Sequence, residues 1–242
     1  MARVVISQPM YFPWFGFMAQ MSLADVFIWL DDVQFSKGSY TNRIQVKMPT
    51  GSKWMSVPLE GKGSFKKTLE LASVGNNWIR SHRGLLSQSL QDRPHTASAI
   101  DIFDRSVATD STLCDQLMVS AEALANHLDI LPRCVLKASD LNVGGTSWSR
   151  VLELVKVVSG SEYVTGHGAL GYLDHDAFEK QGVAVKYMDY APLPWPQPFG
   201  AFTPYVTGLD LVASLDAAQA RFHLRPASID WRTFASLGGK QL

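Results

Sequence analysis

The sequence has little of what marks nucleic-acid-binding, membrane or disulfide-stabilised proteins. Its 22 Lys and Arg residues equal its 22 Asp and Glu residues, so no net field attracts nucleic acid or an anionic bilayer. Its two cysteines, Cys114 and Cys134, have no CxxC spacing, which argues against a thiolate metal cluster and is typical of a reducing compartment. No apolar run approaches the ~20 residues of a membrane helix, and no signal peptide precedes the first predicted strand. We therefore expect a cytoplasmic protein that neither binds nucleic acid nor inserts into membranes.

What remains is the composition of an ordinary globular protein. Hydrophobic residues make up 46% of the 242 residues and charged residues 18%, which is ample for a buried core. We predict a single α/β domain over residues 1–242. Within it we expect a helical subregion at about 76–130, a proline-rich arm at 191–204 and a weakly ordered tail at 238–242.

The N-terminal stretch, residues 3–43, predicts the start of a parallel sheet. Val4–Ile6 is a short β-branched run, and a loop follows in which Pro9 and Pro13 fix the backbone. A helical pattern over Phe15–Ala24 leads to a second apolar run, Val26–Leu30. Further strands alternate with helices along the chain and are predicted at Cys134–Leu136, Tyr163–Thr165 and Val183–Tyr187.

Two other features complete the predicted fold. Ile44–Met48 and Trp54–Val57 are strand-like and are joined by turn-forming residues, so they predict a small antiparallel hairpin. Leu209–Leu215 is predicted as the last helix, followed by a polar tail. The whole pattern predicts a Rossmann-like layered α/β fold with a largely parallel sheet, a small antiparallel hairpin and a helical middle segment.

Polar residues follow the predicted strands where ligands bind in open α/β sheets. Gln8 follows the first strand, Asp31 and Asp32 follow the second, and a glycine-rich loop, Gly166–Gly171, follows a later one. The carboxyl ends of parallel strands meet at one edge of the sheet, where a crevice forms. We therefore expect these residues to line one cleft, together with Lys37, Asn42 and Arg43.

Each candidate residue has an expected role. Arg43 suits bidentate binding of an anionic group, and Lys37 suits a point charge or a proton carrier. Asn42 and Gln8 are expected to orient the ligand through hydrogen bonds. The predicted catalytic set is Asp31, Asp32, Lys37 and His82, with one carboxylate or His82 as the general base. The predicted ligand-binding set is Gln8, Tyr11, Asn42, Arg43, Gly166, His167 and Gly168.

Several of these residues have a structural alternative. Asp31 and Asp32 point to opposite sides of an extended strand, so one of them can cap a turn instead. His82 lies within a predicted helix, where a histidine without a known charged neighbour is more often structural, and His167 shares that alternative. Lys66 and Lys67 follow the glycine-rich run Glu60–Ser64, which suits either a phosphate cradle or a surface loop. We favour the loop, because the GK[ST] ending is missing. No spacing of metal ligands recurs, so no metal site is predicted.

The sequence also resembles a known family. The runs QPMYFPWFGF (8–17), DVFIWLDDVQFSKGSYTNR (25–43) and KWMSVPL (53–59) resemble the WbqC-like family of bacteria. The resemblance continues through NNWIRSH (76–82), KASDL (137–141), GSEYVTGHGALGYLD (160–174) and FEKQGVAVKY (178–187). Members of this family often occur among genes for O-antigen and other surface polysaccharides, so the resemblance implies a role in that biosynthesis.

Three functions are compatible with these observations. The first is a transferase that acts on an anionic or nucleotide-linked sugar, or on a related small metabolite, in surface-glycan biosynthesis. The second is a non-catalytic protein that binds such a ligand or a partner enzyme of the same pathway. The third is a nucleotidyltransferase-like enzyme, since the N-terminal layout resembles that of the HxGH nucleotidyltransferases. This chain has Trp14-Phe15-Gly16-Phe17 where those enzymes carry their two histidines.

Overall fold

The computed structural model describes residues 2–108 and 111–239 of the chain. It confirms the predicted α/β class, with a largely parallel sheet and a separate antiparallel hairpin. The strands are β1 (Ala2–Ser7), β2 (Val26–Trp29), β3 (Arg43–Met48), β4 (Gly51–Ser56), β5 (Cys134–Lys137), β6 (Gly160–Thr165), β7 (Ala184–Asp189) and β8 (Ala227–Asp230). The helices are α1 (Phe15–Met21), α2 (Asn77–Ser89), α3 (Thr96–Val107), α4 (Leu113–His127), α5 (Ser147–Val157), α6 (His175–Lys180), α7 (Leu209–Ser214), α8 (Ala217–Leu224) and α9 (Trp231–Ser236).

The main sheet has the strand order β5-β2-β1-β6-β7-β8. The first five of these strands are parallel, and β8 pairs antiparallel with β7 at the edge. Numbered along the chain within this sheet alone, the order is 3-2-1-4-5-6, which is the doubly-wound order of dinucleotide-binding folds. The two predicted N-terminal strands, β1 and β2, pair directly, with Val4 opposite Val26 and Ile6 opposite Ile28.

The sheet separates two apolar layers because its side chains alternate between the faces. In β1, Val5 packs into one core cluster and Val4 into the other. The first cluster takes residues from α1 to α4, α7 and α8, which include the predicted helical subregion. The second takes residues from α5, α6 and α9. Helices therefore cover both faces of the sheet, as a buried parallel sheet requires.

The end of the chain has more regular structure than the sequence predicted. Helix α8, strand β8 and helix α9 all follow the predicted last helix. Strand β8 has the sequence Ala-Ser-Ile-Asp, which lacks an apolar run because it is a half-exposed edge strand. Helix α9 is held by Phe234, which is buried and stacks on Tyr187 with ring centroids 4.3 Å apart. Of the tail predicted at 238–242, residues 240–242 lie outside the described residues.

The proline-rich arm is held mainly by one aromatic residue. Trp195 is buried, lies 4.7 Å from Phe202 between ring centroids, and donates a hydrogen bond of 2.7 Å from Nε1 to Asp210. Phe202 is half-buried against the first core cluster. Phe199 is half-buried with a φ of 62° and lines a surface cavity beside Arg93.

No helix among residues 2–108 and 111–239 combines the length and the hydrophobicity that crossing a membrane requires.

Candidate functional site

The strand order creates a crevice between β1 and β6. From β1 the chain enters α1, whose Phe17 and Met18 lie in the first core cluster. It reaches β6 from α5, whose Val151 and Val155 lie in the second cluster, on the opposite face of the sheet. In open α/β folds, ligands bind beyond the carboxyl ends of the strands at such a switch point.

A cavity of about 600 Å³ lies at this edge of the sheet. Its wall combines residues that follow β1, β2, β5 and β6 in the sequence. The lining residues are Gln8, Leu30, Asp32, Val33, Gln34, Lys67, Val143, Gly145, Thr146, Ser147, Arg150, Val151, Leu154 and Tyr172. We refer to it as the crevice cavity. Among the residues predicted for the site, it contains Gln8 and Asp32.

Asp32 and Arg150 form the charged centre of the crevice cavity. Nη2 of Arg150 donates to Oδ2 of Asp32 at 2.5 Å, and the two side chains are 12% and 16% exposed. Nε of Arg150 donates to the carbonyl of Val143 at 3.0 Å, which fixes the guanidinium plane. The other carboxylate oxygen of Asp32 is buried and accepts no hydrogen bond from the described residues. Asp32 therefore has acceptor capacity beyond its ion pair.

The N-terminus of α5 forms another part of the wall. Thr146 is its N-cap residue, and the Thr146 side chain accepts no capping hydrogen bond from the first turn. Thr146 is not among the predicted site residues, although Gly144 and Gly145 precede a helix start there. Because Gly145, Thr146 and Ser147 line the crevice cavity, the positive end of the helix dipole lies at its wall.

Lys67 reaches the crevice cavity through a backbone pairing. An isolated β-bridge joins Lys67 to Gln34, and the amide of Thr68 donates to the carbonyl of Val33 at 2.9 Å. Lys67 is exposed, and it adds a cation to the wall beside the Asp32–Arg150 pair. Its loop was considered as a phosphate cradle from the sequence and judged a surface loop. The structure places one residue of that segment at the cavity.

The side chains of Asp31 and Asp32 point in different directions. Asp31 is buried at 3% exposure and accepts two hydrogen bonds from Ser139, one from the backbone amide at 3.1 Å and one from the hydroxyl at 2.6 Å. Ser139 lies in a short 3-10 helix after β5. Asp31 thus joins the ends of β2 and β5 rather than capping the turn that follows it, while Asp32 lines the cavity.

Lys37, Asn42 and Arg43 do not line the crevice cavity, where they were expected. Lys37 is exposed and lines a neighbouring depression. The side-chain amide of Asn42 donates to the carbonyl of Val57 at 2.8 Å, across the hairpin. Arg43 donates to the carbonyls of Ser39 and Gly38, and its guanidinium lies 4.3 Å from the ring centre of Trp54. The guanidinium of Arg43 is thus already bound to local backbone carbonyls and packed on a tryptophan ring.

Tyr11 and His82 are paired inside the core and do not line the crevice cavity. The Tyr11 hydroxyl lies 2.9 Å from Nδ1 of His82, and Nε2 lies 3.2 Å from the carbonyl of Ser56. Burial lowers the pKa of His82 to about 4, with the Ser56 carbonyl opposing the shift. The imidazole is therefore neutral at physiological pH and links α2 to the aromatic loop and to the hairpin. Burial also raises the pKa of Tyr11.

The glycine-rich loop after β6 contributes a different residue from those predicted. Nε2 of His167 lies 2.7 Å from the carbonyl of Met188, and its ring packs against Phe234. Gly166 and Gly168 are not lining residues of the crevice cavity. Tyr172, at the end of the loop, does line it and is half-exposed. The functional roles predicted for the residues of this loop stay predictions.

The segment that would carry the two HxGH histidines is aromatic and packed. Phe15 and Phe17 are buried in the first core cluster, and the ring of Trp14 covers Gly16. A Cβ atom on Gly16 would lie 2.1 Å from that ring, so any larger residue at this position would have to displace the ring. These side chains offer no imidazole for adenylyl transfer. In residues 2–108 and 111–239, no cluster of three His, Cys, Asp or Glu side chains is arranged to hold a metal ion.

Comparison with known proteins identifies relatives of this chain. The model of the WbqC-like protein family matches residues 8–222. The chain is also 29% identical over 231 residues to the uncharacterized protein Rv1507c of Mycobacterium tuberculosis (strain ATCC 25618 / H37Rv). That alignment covers 93% of this chain and 98% of the relative. No solved structure matches the chain.

Proposed function

This chain belongs to the WbqC-like protein family, and from that premise we propose that it is a transferase in bacterial surface-glycan biosynthesis. Its substrate in this proposal is a nucleotide-linked sugar or a related small anionic metabolite. The observation that carries the proposal is the crevice cavity of about 600 Å³, whose wall combines Asp32, Arg150 and Lys67 at the carboxyl ends of the strands. A volume of this size suits a metabolite rather than a macromolecule.

The cations of the wall favour an anionic ligand. Lys67 and Arg150 bring two positive charges and Asp32 one negative charge, so the charged side chains that line the cavity sum to one positive charge. The N-terminus of α5 adds a partial positive charge and first-turn amides without a side-chain cap. Phosphate groups bind at helix N-termini for this reason. We assign the phosphate of the ligand to the side of the cavity formed by Lys67 and α5.

The remaining polar groups suit the hydroxyls of a sugar. Gln8 and Gln34 carry both donors and acceptors, and the carboxylate of Asp32 lies in the same wall. In this proposal Asp32 is the general base that takes a proton from an acceptor hydroxyl, while Arg150 holds the carboxylate in place. Asp31 and His82 act in the scaffold, because each is buried with its own hydrogen-bond partners.

The pathway and the compartment in this proposal have separate support. The family context supports glycan assembly, as the sequence resemblance implied. Cys114 and Cys134 are both free thiols, which suits the reducing cytoplasm. The equality of acidic and basic residues supports a small-molecule ligand over nucleic acid.

A specific observation also favours the non-catalytic alternative. Of the four residues predicted to be catalytic, Asp32 is the one that lines the crevice cavity. Asp31 accepts hydrogen bonds from Ser139, and Lys37 lines a separate depression. His82 is neutral and buried. General acid–base chemistry with one positioned carboxylate is feasible, but a binding protein needs no such group.

The first experiment tests binding. Thermal shift against nucleotide sugars, nucleotides and acyl thioesters identifies the ligand class, because a ligand that binds the folded state raises its melting temperature. We then expect Lys67→Ala to weaken binding of the ligand by about fivefold or more, since it removes a charge-assisted contact to phosphate. Lys62→Ala is the matched control, because Lys62 is exposed in the same loop segment and is not a lining residue. Equal loss in both variants would contradict the assignment.

The second experiment separates catalysis from binding. Asp32→Asn is expected to lower the transfer rate by about 100-fold or more while changing the dissociation constant much less, as loss of a general base does. Circular dichroism and the melting temperature check that the variant folds despite the loss of its ion pair. If the wild-type protein binds the ligand but transfers nothing to any acceptor offered, the non-catalytic function replaces the transferase.

A further inference from the structure

Phe65 is unfavourable in two independent respects, its solvent exposure and its backbone conformation. Its side chain is 91% exposed, the highest value among the exposed large hydrophobic residues. Its φ is 60°, in the left-handed region that bulky residues rarely adopt. A glycine or asparagine would remove both penalties at this position. Strain of this kind in the folded state points from the observed outlier to a function.

The loop that carries Phe65 is fixed to the same segment that forms the crevice cavity. The amide of Phe35 donates to the carbonyl of Lys66 at 2.9 Å, and the amide of Leu69 donates to the carbonyl of Asp31 at 2.8 Å. The β-bridge between Gln34 and Lys67 lies between these bonds. The backbone on the C-terminal side of Phe65 is therefore positioned by the chain that follows β2.

Phe65 is one of the residues that line a second concavity. This depression has a volume of about 480 Å³, and its lining includes Gln34, Phe35, Lys37, Ser64 and Phe65. Gln34 lines both this depression and the crevice cavity, so the two adjoin. Lys37 lines the depression, and Lys67 lines the crevice cavity. A ligand that crosses the shared wall has a cation on each side.

We propose that this depression is the nucleobase subsite for a nucleotide-linked ligand whose sugar lies in the crevice cavity. The inference rests on the proposed function and specifies its substrate class. The face of the base stacks on Phe65, since stacking on an exposed aromatic ring is open to every base. The diphosphate crosses the boundary at Gln34, where Lys37 and Lys67 balance its charge. This gives Lys37 the anion-binding role that the sequence indicated, at a different place.

An exposed phenylalanine beside lysines also suits an anionic bilayer surface. The nucleobase is favoured over the bilayer, because the depression that Phe65 lines adjoins the polar crevice cavity.

The test compares nucleoside diphosphates with inorganic pyrophosphate by isothermal titration calorimetry. The wild-type protein is expected to bind at least one of UDP, CDP, GDP, ADP and dTDP about tenfold or more tightly than pyrophosphate. Phe65→Ala should remove that difference by weakening the nucleoside diphosphate about tenfold, as loss of one base stack does, and should leave pyrophosphate unchanged. Phe65→Trp should retain the difference and show fluorescence quenching on binding. Phe65→Leu, which is apolar but not planar, should behave like Phe65→Ala.

The control is Phe222→Ala, because Phe222 is also an exposed phenylalanine but lies on α8 beneath the guanidinium of Arg225. It should change neither affinity. Equal affinities for pyrophosphate and all the nucleoside diphosphates in the wild-type protein would overturn the nucleobase subsite and leave the phosphate site standing. Binding of neither would overturn the proposed function itself. Loss of binding to phosphatidylglycerol-containing vesicles in Phe65→Ala, with nucleotide affinity intact, would assign Phe65 to a membrane surface instead.

Discussion

The hydroxyl of Tyr11 and Nδ1 of His82 lie 2.9 Å apart inside the core, 71 residues apart in the sequence. Both residues were predicted to belong to the functional site, one in ligand binding and one in catalysis. Their pairing connects the aromatic loop after β1 to α2, and a further contact connects His82 to Ser56 of β4. A histidine fixed in this way affects the stability of the fold.

The pH dependence of folding should reveal the buried His82. Its pKa is about 4 in the folded state and near 6.5 in the unfolded chain, so the unfolded state binds more protons between these values. The stabilising contribution is fully present above pH ~6.5 and falls as the pH drops towards 4, by about 3 kcal/mol in all. Urea denaturation of the wild type and His82→Gln between pH 4 and 7.5 measures this difference. A stability difference between the two that does not change with pH would contradict it.

Asp31 should act on stability and not on catalysis. Asp31→Asn replaces an oxygen that accepts a hydrogen bond from Ser139 with an NH₂ group, and the site is 3% exposed. We expect a loss of about 1–3 kcal/mol in the free energy of unfolding, as for a buried polar group left without a partner. Ser139→Ala should lose less, and the double variant should lose less than the sum of the two, because they share the same bonds. Full stability of Asp31→Asn with lost ligand binding would return Asp31 to the site.

The buried ion pair beneath the proline-rich arm should be far more costly to break than an exposed pair. Arg93 lies 2.8 Å from Asp210, with side chains 6% and 1% exposed. Asp210 also accepts hydrogen bonds from Trp195 and Gln197, so Asp210→Asn disturbs the arm and leaves Arg93 without its counter-charge. We expect a loss of about 3–5 kcal/mol by urea denaturation.

The matched control for this prediction is Asp129→Asn. Asp129 pairs with Arg221 at 2.7 Å, but its side chain is 87% exposed, so the change should stay within about 0.5 kcal/mol. Similar losses in Asp129→Asn and Asp210→Asn would show that burial does not set the value of these pairs.

The parts of this fold that sequence reasoning found have strong local signals. The strands β1, β2 and β6 contain runs of buried apolar residues, and the helices α2 to α4 carry apolar stripes. Strand β8 has no such run, because it pairs antiparallel at the edge of the sheet and is only half-buried. Its existence depends on pairing with β7, which no local pattern encodes.

The site was found only in outline for a similar reason. Strand ends led to Gln8 and Asp32, because topology alone brings strand ends together. Arg150 comes from a helix 118 residues away from Asp32, and no spacing in the sequence indicates that pair. Arg43 is near Asp32 in sequence, but its donors are used by the carbonyls of Ser39 and Gly38. Proximity along the chain therefore indicated Arg43 for the wall of the cavity, where the structure has Arg150.

Two glycines of the loop that carries Phe65 offer a matched pair for the last prediction. Gly61 and Gly63 both have positive φ, 56° and 64°. A Cβ atom on Gly61 would meet nothing within 4 Å, whereas one on Gly63 would lie 2.9 Å from Leu59, 3.0 Å from Phe35 and 3.1 Å from Leu71. Gly61→Ala should therefore cost about 1–2 kcal/mol for its backbone conformation alone.

Gly63→Ala should cost about 1–3 kcal/mol more than Gly61→Ala, because Leu59, Phe35 and Leu71 must move to admit the methyl group. Since Phe35 also lines the depression beside Phe65, Gly63→Ala should in addition weaken nucleoside diphosphate binding, while Gly61→Ala leaves it unchanged. Urea denaturation and calorimetry of both variants measure the two effects. Equal stability losses would mean that the loop relaxes freely around position 63, and a loop that moves so easily would not hold Phe65 in place for a base.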